Sequence, residues 1–174
     1  NNIYNVVENN IIEHDHWTSD RLWAIRAHNN TIIRNNTIQC DYLEFAIHVG
    51  NDCIVDSNTI SGDFNGPVFQ VEGDSTIIRA NIVNNSGGGA GVYVGNETYT
   101  WVYNNDFFHT GGGGFLDANA SEVYVTGNLF EGNSGRGAYI HDQSTGGIYN
   151  NTLVSASGDY GMYQSNQTNV PVFN

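Results

Sequence analysis

One asparagine returns about every 23 residues along this chain, each time flanked by apolar residues in the same places. The segments VVENNII, IIRNNTI, IVDSNTI, IIRANIV, WVYNNDF, YVTGNLF and IYNNTL align on Asn10, Asn36, Asn58, Asn81, Asn105, Asn128 and Asn151, with steps of 26, 22, 23, 24, 23 and 23 residues. A further 23 reaches Asn174, the last residue, behind Val-Pro-Val-Phe. Such a period constrains architecture before any local propensity does. A unit this short cannot bury an apolar face alone and must stack on its neighbours.

The residues around each asparagine alternate as strands do. Three before it stand Val7, Ile33, Val55, Ile78, Val102, Val125 and Ile148, a β-branched column that points inward. Five before, on the same face, are Thr31, Cys53, Thr76, Thr100, Val123 and Gly146 in the later coils. Two after it, Ile12, Ile38, Ile60, Val83, Phe107, Phe130 and Leu153 bury the start of the next strand. A second strand wall lies upstream as AIRA, AIHVG, VFQVEG, VYVG, FLDA and AYIHD. Asparagine suits the corner because it tolerates the left-handed backbone region and its amide both donates and accepts, so amides stacked about 4.8 Å apart satisfy one another. With 39% apolar residues the chain supports one packed domain, a β-solenoid of about seven coils of 22–26 residues over 1–174.

The N-x-I/V/F corner, with strands such as GVYVGN, resembles the right-handed parallel β-helix, or pectate-lyase-like, superfamily across essentially the whole chain. The resemblance implies an all-β, single-stranded right-handed parallel β-helix. It does not choose an activity, since members include polysaccharide lyases, hydrolases, epimerases, phage tail spikes and cell-surface proteins. The polygalacturonase-like set of N-T-D, D-D, G-H-G and R-I-K is absent: Ile60 follows Asn58-Thr59, no Asp-Asp pair occurs, and Ala80 follows Arg79. Paired-carboxylate hydrolysis of that kind is unsupported. Lyases acting on uronates combine basic residues with Ca²⁺, whereas this chain carries 18 acidic against 5 basic residues, net −13, with arginine as its only strong base.

Two outward columns remain on the strand before the asparagine. Two before it, Glu8, Arg34, Asp56 and Arg79 alternate in sign, followed by Tyr103, Thr126 and Tyr149. Each such pair contributes only about 0 to 1 kcal/mol, but a one-coil slip brings like charges together. Four before it, Val6, Ile32, Ile54, Ile77, Trp101 and Tyr124 form an apolar stripe, ending at Gly147. A stripe of this kind is a contact surface, covered by the protein's own loops or by another molecule. Neither end shows a cap and the chain opens without methionine, which predicts a segment or processed form with flanking domains removed, or coils that stack end to end into a fibre.

Chemistry-bearing residues concentrate in the early loops, Glu13 to Trp17, Asp41 to Glu44 and Asp63-Phe64, while later loops are glycine-rich. Stacking would align His14, His16, Asp41 and Asp63 along one edge, imidazole and carboxylate types that could hold a metal. On the upstream strand an outward ladder runs Arg26, His48, Gln70, Tyr93, Asp117 and Tyr139, with Trp23, Glu44 and Glu72 beside it. In β-helix enzymes a face of this sort resembles the polysaccharide groove. There Arg26 or His48 would act as base, and Asp41, Glu44 or Glu72 would hold a cation such as Ca²⁺. Without turnover the same face would bind oligosaccharide through Trp23 and Tyr93.

With no lysine and a strongly acidic balance, the chain lacks the cationic footprint for nucleic acid or anionic membranes, and no apolar run reaches the roughly 18 residues of a bilayer span. Seven asparagines sit in glycosylation acceptors (Asn29, Asn35, Asn84, Asn96, Asn119, Asn150, Asn166), where about three or four are expected by chance. Two cysteines, Cys40 and Cys53, define no disulfide framework. The expectation is an extracellular or cell-surface β-solenoid, structural or adhesive, needing no cofactor, whose partner is itself or a polysaccharide. The competing expectation is a polysaccharide lyase or epimerase.

Overall fold

A computed structural model describes residues 4–15, 22–85, 87–95, 98–117, 122–133, 136–140, 145–154, 162–164 and 172–173, with backbone alone for 115–117, 136–140, 162–164 and 172–173. The chain passes in turn through three parallel sheets, of eight, seven and seven strands. Sheet A holds Asn5–Glu8, Thr31–Arg34, Ile54–Asp56, Thr76–Arg79, Tyr99–Tyr103, Glu122–Thr126, Thr145–Tyr149 and Val172–Phe173. Sheet B holds Ile11–His14, Thr37–Asp41, Thr59–Asp63, Ile82–Asn85, Asp106–Phe108, Leu129–Glu131 and Thr152–Val154. Sheet C holds Trp23–Asn29, Phe45–Asn51, Phe69–Val71, Val92–Val94, Gly113–Asp117, Arg136–Ile140 and Met162–Gln164. Every described pairing joins strands of successive turns in parallel, so the whole is a β-solenoid.

The corner from sheet A to sheet B always takes two residues, and the second is the ladder asparagine. The backbone reverses at the first. Asn9, Asn35, Ser57, Ala80, Asn104, Gly127 and Asn150 all have positive φ, between 53° and 65°. The expectation that the ladder asparagines themselves take the left-handed region is therefore corrected by one residue. A single left-handed residue turns the chain, which leaves the next residue free to aim its side chain inward.

The amides then bond coil to coil without a break. Backbone N–H and Nδ2 of Asn58 both donate to Oδ1 of Asn81 at 2.9 Å. The same double donation runs from Asn10 to Asn36, Asn36 to Asn58, Asn81 to Asn105, Asn105 to Asn128 and Asn128 to Asn151. Nδ2 also reaches a backbone carbonyl of the preceding coil, as from Asn81 to Val55 at 3.0 Å. From Asn36 to Asn151 these asparagines are buried, and the ladder satisfies polar groups that water cannot reach.

The apolar columns fill the tube as their spacing requires. Ile33, Val55, Ile78, Val102, Val125 and Ile148 are buried from sheet A, and Ile38, Ile60, Val83, Phe107 and Phe130 from sheet B. Sheet C adds Ile47, Val49, Phe69, Val71, Val92 and Val94. Phe107 stacks on Phe130 at 5.4 Å and meets Phe69 edge-on at 6.4 Å, so aromatic rings tie the sheets together.

Connections from sheet B to sheet C vary in length, and their polar support comes as separate contacts between neighbouring coils. Asn85 Oδ1 accepts from the N–H groups of Phe64 and Gly87, and Asn133 Oδ1 accepts from both the N–H and the hydroxyl of Thr110. The glycine-rich turns are structural rather than bland. A Cβ on Gly89 would lie 1.7 Å from the Gly66 carbonyl oxygen, so the two turns stack backbone on backbone.

Candidate functional site

Sheet C brings Arg26, His48, Gln70 and Tyr93 into one row, as expected. Asp117 does not continue it. Leu116 pairs with Tyr93 and Tyr139, while Asp117 pairs with Val94 and Ile140. Polarity singled out the aspartate, but strand period is two, and Phe115 pairs with the buried Val92 and with Ala138, which puts Leu116 in the row. Tyr139 keeps its place in the row.

The row's centre is a pair that spans 24 residues of sequence. His48 Nε2 lies 2.8 Å from Glu72 Oε2, and Gln70 Nε2 donates to Glu72 Oε1 at 2.6 Å. Hydrogen bonding from His48 holds the Glu72 carboxyl below the usual range, helped by Gln70 and Arg26 and opposed by partial burial. Trp23 stacks against Phe45 at 6.1 Å, carries the Arg26 guanidinium 4.6 Å above its ring, and lies 5.7 Å from the His48 ring. His48 is 6% exposed, and its Nδ1, like Trp23 Nε1, is buried with no hydrogen-bond partner among the described residues. Asp41 ends a strand of sheet B and Glu44 lies in the connection four residues before His48, so neither shares the position of the His48–Glu72 pair.

A hollow of about 470 Å³ opens at the first coils, lined by Glu13, His14, Asp15, Gln39 and Asp41. His14 pairs with Cys40, Asp41 pairs with Asp63, and Asp41 Oδ1 accepts the Asp63 N–H at 3.0 Å. His16 lies outside the described residues. Among those described, no group of three or more His, Cys, Asp and Glu side chains is placed to hold a metal ion. Cys40 and Cys53 are free buried thiols, and burial pushes Cys40 up to about 11 and Cys53 up as well.

The outer face of sheet A carries the stripe in unbroken register, Val6 against Ile32, Ile54, Ile77, Trp101, Tyr124 and finally Gly147. Trp101 and Tyr124 stack at 4.3 Å, and Tyr99 meets both edge-on at 6.3 and 6.1 Å. Tyr124 donates its hydroxyl to Glu122 at 2.9 Å, which raises its pKa. Beside the stripe Arg34 bonds Glu8 at 2.6 Å, and Arg79 bonds Asp56 at 3.0 Å and the Tyr103 hydroxyl at 3.1 Å. Those contacts, Asp56 foremost, keep the Arg79 guanidinium charged beyond its ordinary range. Ile77, Trp101, Tyr103 and Thr126 line a shallow cleft of about 440 Å³. Tyr99 and Glu122 were not singled out from sequence, although Tyr99 stands two residues before Trp101 and so shares its face.

Of the glycosylation acceptors, Asn29, Asn35, Asn84 and Asn150 are exposed, the second and fourth at left-handed corners, while Asn96, Asn119 and Asn166 lie outside the described residues. The Asn29 side chain is engaged, accepting the Asn51 N–H at 3.2 Å. Asn51 in turn accepts from Asp74 and Asp74 from Tyr99, a third polar series at the corner from sheet C to sheet A. No described helix is long and apolar enough to cross a membrane.

No curated protein and no solved structure gives a match to the chain. The family described as the right-handed β-helix region matches residues 25–174, nearly the full set of coils. That match and the three parallel sheets agree, and the chain belongs to the right-handed β-helix family.

Proposed function

We propose that this protein is an extracellular or cell-surface β-solenoid whose work is structural or adhesive, done by contact across the outer face of sheet A rather than by catalysis. One observation carries the reading: six apolar side chains from Val6 to Tyr124 stand in consecutive register on an outward face, where nothing about β-helix formation requires them. The contact needs no cofactor. The excess of glycosylation acceptors supports the extracellular setting, and the exposed Asn35 and Asn150 are the acceptors best presented for a glycan. Incubation with acidic polysaccharides and Ca²⁺ should yield no unsaturated ends. Retention of the protein on cell-surface material, or on itself, should fall when Trp101 is replaced by glutamate.

The second reading, a polysaccharide lyase or epimerase at sheet C, is favoured by the His48–Glu72 pair with Arg26 nearby. A base must reach its substrate proton, and His48 is buried with Nε2 already engaged by Glu72. Turnover that disappears in His48→Ala and Glu72→Gln would replace the contact reading with this one.

A further inference from the structure

The outer face of sheet A is close to neutral on a strongly acidic chain. The chain carries a net −13, yet the strands of sheet A hold only Glu8, Arg34, Asp56, Arg79 and Glu122, a net of one negative charge. Two of the five arginines sit here, so this is a face that a second acidic chain can approach without strong repulsion. The order of residues along it is also informative. The charged column reads acid, base, acid, base from Glu8 to Arg79, and the apolar column grades from Val6 through three isoleucines to Trp101 and Tyr124.

From this order we infer that the face pairs with a second copy of the same chain, the two solenoids running antiparallel about a two-fold axis that lies between the sheets and parallel to their strands. The inference rests on the contact reading above and names its partner. With the axis between Ile54 and Ile77, Val6 faces Tyr124 of the second copy, Ile32 faces Trp101, and Ile54 faces Ile77. Small side chains meet large ones, so two sheets about 10 Å apart interdigitate evenly along the stripe. In the charged column Asp56 faces Arg79 of the second copy and Arg34 faces Tyr103, an ion-pair cluster and a cation over an aromatic ring. Parallel packing, about a two-fold along the solenoid axis, reverses the strands: an axis through the charged column sets Glu8 on Glu8 and Arg34 on Arg34, and one through the apolar column sets each aromatic ring on its own copy. Alternation of sign and grading of size both favour the antiparallel form.

Size sets the strength. Six coils at about 4.8 Å by a strand of about 15 Å give a flat footprint of roughly 430 Å² per copy. That is about half the roughly 800 Å² per partner of a standard interface, so the pair should be reversible and concentration-dependent.

Sedimentation velocity of the full chain over rising concentration should show a monomer passing into a dimer. Trp101→Glu, and Ile32→Lys at the far end of the stripe, should each weaken the dimer by roughly thirtyfold or more with the circular dichroism spectrum of β structure retained. Register is tested with single cysteines outside the stripe. Glu8→Cys and Thr126→Cys lie five coils apart in one chain but face each other in the antiparallel pair, while native Cys40 and Cys53 are buried. A short bismaleimide should link a mixture of the two variants and neither variant alone. Linking of either variant alone would overturn the antiparallel arrangement. A chain that stays monomeric at every concentration would overturn the second copy as partner. If that monomer still bound cell-surface glycan in a Trp101-dependent way, the contact reading would stand while this inference fell.

Discussion

The corner between sheets A and B and the corner between sheets B and C solve the same problem in different ways. Both must turn a chain whose backbone groups are shut away from water, and both use asparagine amides to do so. At the first corner every connection is two residues long, so amides fall in line and bond each other over seven coils. At the second, connections run from three residues between Asp41 and Phe45 to eight between His14 and Trp23. Its amides also reach the preceding coil, but in separate contacts that do not join into a row: Asn85 supports the Phe64 and Gly87 N–H groups, and Asn133 supports Thr110. A ladder is thus a property of constant loop length as much as of asparagine. Where length varies, the same side chain still joins one coil to the next, but the row does not propagate and the outer loops become free to differ.

If this contrast is right, removing a central ladder amide should be the most damaging polar change. Asn105→Ala orphans the buried N–H of Asn81 and removes the bonds that the Asn105 amide makes to Asn81 Nδ2, the Ile78 carbonyl and Asn128 Oδ1; at about 1–3 kcal/mol for the orphan and roughly 0.5–1.5 kcal/mol for each lost bond, it should cost roughly 2–6 kcal/mol in urea unfolding. Asn10→Ala, at the exposed first rung, should cost a fraction of that, and equal losses would show that the ladder does not act through burial. Asn133→Ala at the other corner orphans mainly the Thr110 N–H, and about 1–3 kcal/mol is expected from the same measurement. A loss matching Asn105→Ala would erase the distinction between the corners.

The turning residue offers a smaller effect of opposite sign. Ala80 adopts φ 54°, a conformation costing an L-residue roughly 1–2 kcal/mol, so Ala80→Gly should raise the unfolding midpoint after the roughly 0.5–1 kcal/mol entropy penalty of glycine is subtracted. Gly127→Ala, at the equivalent site, should lower it. Smallest of all is the His48–Glu72 pair, half exposed at its carboxylate and remote from the ladder. Glu72 has its folded-state pKa depressed by His48, so its contribution is present above the unfolded value near about 4.3 and is lost as pH falls through the folded one. With the Glu72 side chain 53% exposed, the stability difference between wild type and Glu72→Gln should be slight at neutral pH and vanish once Glu72 is protonated in the folded state, as followed by thermal melts.

The ladder and the inward columns were readable in the primary structure because the spacing that exposes them is the spacing that makes them stack. Val55, Ile78 and Val102 could be assigned to the interior for that reason, and the stripe from Ile32 to Tyr124 to the outside by the same alternation. Asp117 was misplaced by one position because it was read from its polarity, in a stretch where glycines precede it and the apolar register is short. The left-handed residue was assigned one place late, since a turn signal such as Asn-Asn does not say which member carries the strained φ.

Period and side-chain alternation, both local and repeated, were enough to determine a stacked parallel solenoid with an asparagine row. What only the tertiary structure decided is which residues meet across loops of unequal length: His48 with Glu72, and Asn85 with Phe64. The physical reason is that a repeat specifies the position of equivalent residues in successive coils, whereas a contact between non-equivalent residues depends on how each irregular connection delivers the next strand.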